Sequence, residues 1–153
     1  MQGHCTCNAV TYTLTQPPLF TQACHCTWCQ RESGAAFALN SMIETEFLAV
    51  TGPIEEIQTP TASGQGQIVA RCPACKVALY SHYAGAGRKV AFIRVGTLTN
   101  PADLPPQMHI FTSTKLPWLT LDASIPAVPE YYDRKQHWPQ SSLDRRAALF
   151  AKP

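Results

Sequence analysis

Charged residues and long apolar runs are both scarce in this sequence. Charged residues make up 14% of the 153 positions, against roughly 25% in an average globular domain, while apolar residues make up 45%. This composition excludes a disordered chain and a coiled coil, and it favours a packed core. No apolar stretch approaches the roughly 18 residues of a membrane span, and the opening letters MQGHCTC lack the apolar segment of a signal peptide. We therefore expect a cytoplasmic protein with no membrane partner.

An excess of basic charge is also missing. Twelve Lys and Arg residues against ten Asp and Glu residues give a net charge of +2, without a run of one sign. A nucleic-acid partner and a polybasic membrane patch are therefore not expected. The length fits one domain, and nothing in the composition indicates an oligomeric state.

Long helices are disfavoured, because 13 prolines and 8 glycines divide the chain into short segments. Segments rich in β-branched and aromatic residues predict strands at 10–14, 67–70 and 90–95. The composition of 59–67 predicts a loop, and that of 84–87 predicts a turn. Near the end, Ser141 or Ser142 can cap a short helix that reaches Phe150.

The seven cysteines are the most informative feature, because none lies outside a cluster. They form three groups: Cys5 and Cys7; Cys24, Cys26 and Cys29; Cys72 and Cys75. Residues two apart in a strand face the same side, and a C-x-x-C turn presents two sulfurs to one ion. A disulfide framework is the alternative, but the odd number and the expected reducing compartment disfavour it. The pattern therefore predicts metal binding.

Seven thiolates divide naturally into four and three. Zinc takes four ligands in a closed structural site, and three ligands with an open position in a reactive site. Cys24, Cys26 and Cys29 lie close enough in sequence to cap one face of an ion, which leaves the other four for a closed site. We therefore expect two zinc ions, one structural and one catalytic. The opposite pairing, in which Cys24 and its neighbours share a closed site with another pair, stays open and would leave no three-thiolate site.

Three other side chains are candidates for a role. His25 lies between two cysteines, so in an extended segment its ring points away from the metal and is packed rather than ligating. His109 is a candidate for proton transfer, since an imidazole titrates near pH ~6.5, with a buried structural histidine as the equal alternative. Trp118 is expected in the core, because Leu116 and Leu119 flank it.

The cysteines belong to longer motifs that span most of the chain. These are GHCTC at 3–7, CHCTWCQRESGAAF at 24–37, RCPAC at 71–75, VGTLTNP at 95–101, HIF at 109–111 and KLPW at 115–118. Together they resemble the glutathione-dependent formaldehyde-activating enzyme (GFA) family, also called the centromere protein V domain. Asn8 and Lys76 stand where that family usually has glycine. Asn accepts a positive φ more readily than Lys does.

The resemblance implies a mainly β, Mss4-like fold of several small antiparallel sheets around a structural zinc. It assigns that zinc to Cys5, Cys7, Cys72 and Cys75, and an active-site zinc to Cys24, Cys26 and Cys29. We expect a zinc-binding domain over 1–125 and a C-terminal extension over 126–153 that packs on it. The implied activity is carbon–sulfur lyase chemistry on glutathione adducts, with S-hydroxymethylglutathione as the namesake.

A substrate site follows from this interpretation. An ion with three thiolates and an open position binds a soft donor, and the glutathione thiol is the obvious candidate. Because glutathione carries two carboxylates, we expect cations around it, and Arg31, Arg94 and Lys115 lie in or near the motifs. Trp28 is expected to form a wall of the substrate cleft.

Two other functions are compatible with a zinc protein of this kind. A non-catalytic interaction module needs no reactive metal, so the complete three-cysteine group counts against it. A methionine sulfoxide reductase needs a nucleophilic cysteine late in the chain, and no cysteine follows Cys75. The lyase therefore remains the leading hypothesis, with the interaction module as the alternative.

Overall fold

The computed structural model describes residues 1–152 and confirms a mainly β fold in that part of the chain. Strands β1 to β10 span Gln2–His4, Thr11–Leu14, Phe20–Cys24, Ala38–Glu44, Leu48–Thr51, Glu55–Thr59, Gln67–Arg71, Ala78–Tyr83, Val90–Arg94 and Met108–Ile110. Helices α1 to α3 span Thr27–Ser33, Arg134–His137 and Gln140–Ala151. Short 3₁₀ turns cover Thr45–Phe47, Ala84–Lys89, Val95–Thr97, Pro101–Asp103 and Thr112–Thr114. None of the helices described has the length and apolar character that crossing a bilayer requires.

The strands form a small sheet and a large sheet. The small sheet has the order β1-β2-β5, and the large one has the order β10-β3-β4-β9-β8-β7-β6. All pairs are antiparallel except β10 with β3. In that parallel pair Ile110 lies opposite Cys24. The topology therefore brings the segment around His109 to the strand that carries the three-cysteine motif.

The local predictions of secondary structure are largely confirmed. The three predicted strands are β2, β7 and β9, with boundaries that differ by one residue at most. The predicted terminal helix is α3, which begins at Gln140 and continues to Ala151. The predicted cap is wrong, because the N-cap residue is Pro139, and Ser141 and Ser142 lie inside the first turn of the helix. The prediction for Trp118 is wrong, because its side chain is 70% exposed. A turn in which the Leu119 N–H donates to the Leu116 carbonyl leaves the indole on the outside.

Two clusters of buried side chains form the core. The first contains Cys5 and Cys72 and joins the small sheet to β7, β8 and β9. The second contains Cys24 and Cys29, and the segment 126–153 contributes to it the side chains of Tyr132, Trp138 and Leu149. Each cysteine group therefore borders its own hydrophobic cluster. The division of the chain at 125/126 stays a prediction.

A buried ion pair fixes helix α3 to the large sheet. Glu44, at the end of β4, is only 2% exposed. The Arg145 Nε donates to its Oε1 at 2.8 Å, and Arg145 Nη1 donates to the Pro17 carbonyl at 2.8 Å. Burying a carboxylate is costly unless a partner of opposite charge accompanies it. Arg145 is therefore a structural residue.

We expect Arg145→Met to lower the free energy of unfolding by about 2 kcal/mol, because it leaves the Glu44 carboxylate buried without its partner. This figure is below the usual cost of breaking a fully buried pair, since solvent reaches part of Arg145 and screens its charge. Urea denaturation measures the change. The double variant Glu44→Gln/Arg145→Met should recover part of the loss.

The control is Arg88→Met, which removes an exposed arginine paired with Glu56. An exposed ion pair contributes little, so this variant should match the wild type. Wild-type stability of Arg145→Met would contradict the anchoring role.

Candidate functional site

Four cysteines gather between the two sheets. The sulfurs of Cys5, Cys7, Cys72 and Cys75 all lie within 4.8 Å of one another. The Cys7 Sγ is 3.5 Å from that of Cys5 and 3.7 Å from that of Cys72. Cys5 and Cys72 are buried. Four sulfur donors at this spacing fit a closed tetrahedral zinc site, which can hold distant parts of the chain together.

Two similar backbone turns present these sulfurs. In each, a cysteine N–H donates at 3.0 Å to the carbonyl of a valine five residues later: Cys5 to Val10, and Cys72 to Val77. The residue after the second cysteine has a left-handed backbone, with φ of 60° at Asn8 and 61° at Lys76. The Lys76 carbonyl accepts a hydrogen bond from Arg71 Nη1 at 3.0 Å. Both positions where glycine is usual therefore form the turn without it.

A second group contains the three remaining cysteines. Cys24 ends β3, Cys26 caps the N-terminus of α1, and Cys29 lies in the first turn of that helix. Their sulfurs also lie within 4.8 Å of one another. The Cys26 Sγ accepts a hydrogen bond from the Cys29 N–H at 3.4 Å. A strand that runs directly into a helix thus brings the three sulfurs together, and they can hold an ion with one position open.

The three sulfurs do not share charge equally. Hydrogen bonds from the thiols of Cys24 and Cys29 lower the pKa of Cys26. The same neighbouring sulfurs, together with burial, raise the pKa of Cys24. A site that stabilises a thiolate beside two buried sulfurs favours the binding of a divalent cation, which makes further deprotonation possible.

Helix α1 is held to the sheet by ionic contacts. Glu32 forms ion pairs with Arg71 and with Arg94, the latter at 2.9 Å. Arg94 Nη1 also donates to the Asn40 Oδ1 at 2.6 Å. Arg94 is a predicted substrate contact, and in the structure its guanidinium binds Glu32 and Asn40 and so supports the helix that carries Cys29.

A cavity of about 410 Å³ opens beside the three-sulfur group. This volume lies within the range of small-molecule sites, roughly 300–1,000 Å³. Its wall includes all three sulfurs, the amides of Gln22, Asn40 and Gln67, and the aromatic rings of Trp28, Tyr83, Phe92, Phe111, Tyr131 and Trp138. A molecule in this cavity can therefore contact the open side of the sulfur group.

Two amides of the cavity wall have defined roles. The Gln22 Oε1 accepts a hydrogen bond from the Tyr132 hydroxyl at 3.0 Å, and that hydroxyl accepts one from Trp138 Nε1 at 2.8 Å. This chain fixes the orientation of the Gln22 amide. Gln67 is 6% exposed, and its Oε1 has no hydrogen-bond partner in residues 1–152. A buried acceptor without a partner lowers the stability of the fold.

Tyr83 contributes a hydroxyl to the cavity beside Cys29. Burial raises the pKa of Tyr83, and the charge on the Cys29 sulfur raises it further. The ring packs edge-on against Phe92, with 4.6 Å between the ring centres. Sequence reasoning missed Tyr83, and the only available signal was a polar group at the end of a buried strand. At neutral pH the hydroxyl keeps its proton and can act as a donor.

The four predicted substrate contacts are not brought together. Trp28 lines the cavity and is 38% exposed. Arg31 is exposed on α1, and the Lys115 Nζ donates to the carbonyls of Leu116 at 3.0 Å and Leu119 at 2.6 Å. Neither Arg31, Arg94 nor Lys115 is among the cavity-lining residues.

His109 lies away from the cavity, against His25. The His109 Nδ1 is 2.9 Å from the His25 Nε2, and both rings are buried. Along β10, Ile110 faces the cavity while the preceding residue points to the opposite side. Burial lowers the pKa of both imidazoles, to about 4 for His25. The proton-transfer candidate is therefore a neutral ring packed behind the cysteine segment.

Comparisons with known proteins agree with this geometry. The family model for "Glutathione-dependent formaldehyde-activating enzyme" matches residues 1–114, so the chain belongs to the GFA family, and the resemblance seen in the motifs is confirmed. A crystal structure of a Rhodobacter sphaeroides protein aligns with a TM-score of 0.50 and 20% identity, covering 67% of this chain and 94% of that one. This similarity shows a shared fold. No curated protein matches the chain significantly.

We expect two zinc ions per chain of different lability. The three-sulfur group opens on a cavity and lacks a fourth protein ligand, so mild chelation should remove its ion first while the far-UV circular dichroism is unchanged. Metal analysis of protein purified without chelator measures both ions. Unfolding in step with loss of the first ion would contradict this assignment. A zinc content that never exceeds one ion per chain would also contradict it.

Cysteines of the two groups should differ in their effect on stability. A structural zinc contributes roughly 10 kcal/mol or more of apparent binding free energy, comparable with the stability of a whole domain. Cys72→Ser should therefore fail to fold. Cys26→Ser should keep nearly the wild-type Tm, because serine is also a good N-cap. Thermal unfolding compares them, and a native-like Cys72→Ser protein would refute the structural role.

Proposed function

We propose that this member of the GFA family is a zinc-dependent carbon–sulfur lyase acting on thiol adducts of small carbonyls. S-hydroxymethylglutathione is the reference substrate. The observation that supports this function is the position of the Cys24, Cys26 and Cys29 sulfurs in the wall of a cavity of about 410 Å³. A purely structural metal group would not need an adjoining space of this size.

The reaction exchanges a carbon–sulfur bond for a carbonyl. In the cleavage direction the adduct hydroxyl loses its proton, a C=O double bond forms, and the C–S bond breaks with its electron pair on sulfur. The products are the aldehyde and the thiol, which receives the proton. The reverse direction joins the same two molecules, so neither direction requires an oxidant or a reductant.

Zinc bound by the three sulfurs would supply a Lewis acid that stabilises the thiolate form of the substrate sulfur. The chain itself provides the surroundings. The N-cap hydrogen bond fixes Cys26, and aromatic rings line the cavity beside it. The side chains of Gln67 and Asn40 line the same cavity and are further candidate contacts for the polar groups of the substrate.

Two further groups complete the proposal. The Tyr83 hydroxyl keeps its proton and can donate a hydrogen bond beside the sulfurs. His109 acts as a positioning residue, since its contact with His25 supports the segment between Cys24 and Cys26. All of these thiols need a reducing compartment such as the cytoplasm, which we propose as the location.

Cys26→Ser should strongly reduce activity while leaving the fold intact. Loss of a metal ligand should reduce the rate of S-hydroxymethylglutathione cleavage by about 100-fold or more. Even mutation of a residue that only hydrogen-bonds to a metal ligand typically lowers metal affinity or activity by about 10–100-fold. In cobalt-substituted protein, glutathione should perturb the sulfur-to-metal charge-transfer band of the wild type and leave that of the variant unchanged.

The matched control is Thr27→Ser, an exposed change in the same turn, which should keep wild-type activity. Cleavage of glutathione adducts by Cys26→Ser at the wild-type rate would refute the three-thiolate mechanism. The non-catalytic interaction module would then be the better account.

A further inference from the structure

The cations that line the cavity come from the end of the chain. Arg134 lies on α2 and Arg146 on α3, and both are half-buried in the cavity wall. Neither guanidinium has a carboxylate partner or a side-chain hydrogen bond within residues 1–152. Four other arginines in that range do have carboxylate partners: Arg71, Arg88, Arg94 and Arg145.

Neighbouring residues do not neutralise this pair. The Asp133 carboxylate caps the N-terminus of α2, where it accepts a hydrogen bond from the Lys135 N–H at 3.0 Å. Burial lowers the pKa of Arg146, and the charge on Arg134 lowers it further. The Arg146 guanidinium carbon lies 4.4 Å from the centre of the Phe150 ring, which holds it in place. Two positive side chains thus line one cavity without a carboxylate partner in residues 1–152, an arrangement that an anion would stabilise.

Other groups in the wall of the same cavity indicate what a ligand carries besides an anionic group. The three cysteines form one part of its wall, and the amide side chains of Gln22, Asn40 and Gln67 belong to it as well. A molecule that contacts the sulfurs, these amides and the two arginines carries a thiol, hydrogen-bonding groups and an anionic group. A thiol peptide with a free carboxylate has this chemistry.

We propose that Arg134 and Arg146 bind a carboxylate of the thiol substrate, so that the C-terminal segment selects anionic thiols. This inference rests on the proposed function for the placement of the substrate sulfur. A guanidinium matches a carboxylate with two parallel hydrogen bonds, and two such groups can hold one carboxylate firmly. The pair takes the role that the sequence suggested for Arg31, Arg94 and Lys115, and it lies beyond residue 114, where the family match ends.

Calorimetric titration of the zinc-loaded protein tests the proposal directly. The ligands are glutathione and glutathione diethyl ester, in which both carboxylates are blocked. Each of Arg134→Gln and Arg146→Gln should weaken glutathione binding about 10-fold, as expected for loss of a charge-assisted hydrogen bond. Binding of the ester should be weak in the wild type and unchanged in the variants. Arg146→Lys keeps the charge and should recover part of the affinity for glutathione.

Steady-state kinetics give a second readout. With S-hydroxymethylglutathione, the double variant should show a raised KM and an unchanged kcat, because a contact to a carboxylate that does not react stabilises the bound substrate and the transition state equally. The matched control is Lys135→Gln, which removes a positive charge from the exposed side of the same helix and should change neither value.

The outcomes separate this inference from the lyase function. Wild-type glutathione affinity in the double variant would overturn the carboxylate site, even if the enzyme cleaves adducts. An equal loss of affinity for the ester would also overturn it, since the arginines would then act through packing. Weaker glutathione binding in the variants, with no cleavage by the wild type, would support the carboxylate site and refute the lyase.

Discussion

Sulfur atoms held close together impose the constraint on which the rest of this structure depends. The sulfurs within each of the two cysteine groups lie within 4.8 Å of one another. Because thiolates repel one another, such a group is stable only if protons or a cation balance its charge. Two different backbone arrangements surround the two cysteine groups. A pair of hairpin-like turns surrounds the four-sulfur group, while a strand running into a helix leaves the three-sulfur group open to a cavity.

Local spacing predicted the three-sulfur group and the strands β2, β7 and β9, because these depend on residues close together in the chain. The four-sulfur group brings together Cys7 and Cys72, which are 65 positions apart, and its membership was predicted only from the division of seven cysteines into four and three and from the family resemblance. The role of Arg94 depends on Glu32, which precedes it by 62 residues, and that of His109 depends on His25, 84 residues away. No local pattern reveals such contacts. The carboxylates of glutathione suggested cations in or near the motifs, but the sequence could not show which of these cations the fold would pair with acidic side chains.

The C-terminal segment connects the core to the cavity. Tyr132 and Trp138 belong to the second hydrophobic cluster, and their hydrogen bonds also fix the Gln22 amide in the cavity wall. Arg145 ties α3 to the buried Glu44, and the next residue along the helix faces the cavity. Packing in this segment therefore sets the shape of the site, although the segment contributes no cysteine.

This separation has an evolutionary consequence. The cysteines and their supporting turns lie within residues 1–114, whereas α2 and α3 close one side of the cavity from outside that region. A substitution at Arg134 or Arg146 changes the polarity of the cavity wall and leaves all seven cysteines in place, whereas a substitution at Trp138 or Leu149 also reaches the core cluster that contains Cys24 and Cys29. The sulfurs and the charged side chains that share their cavity are thus encoded by different stretches of one gene and can be substituted separately.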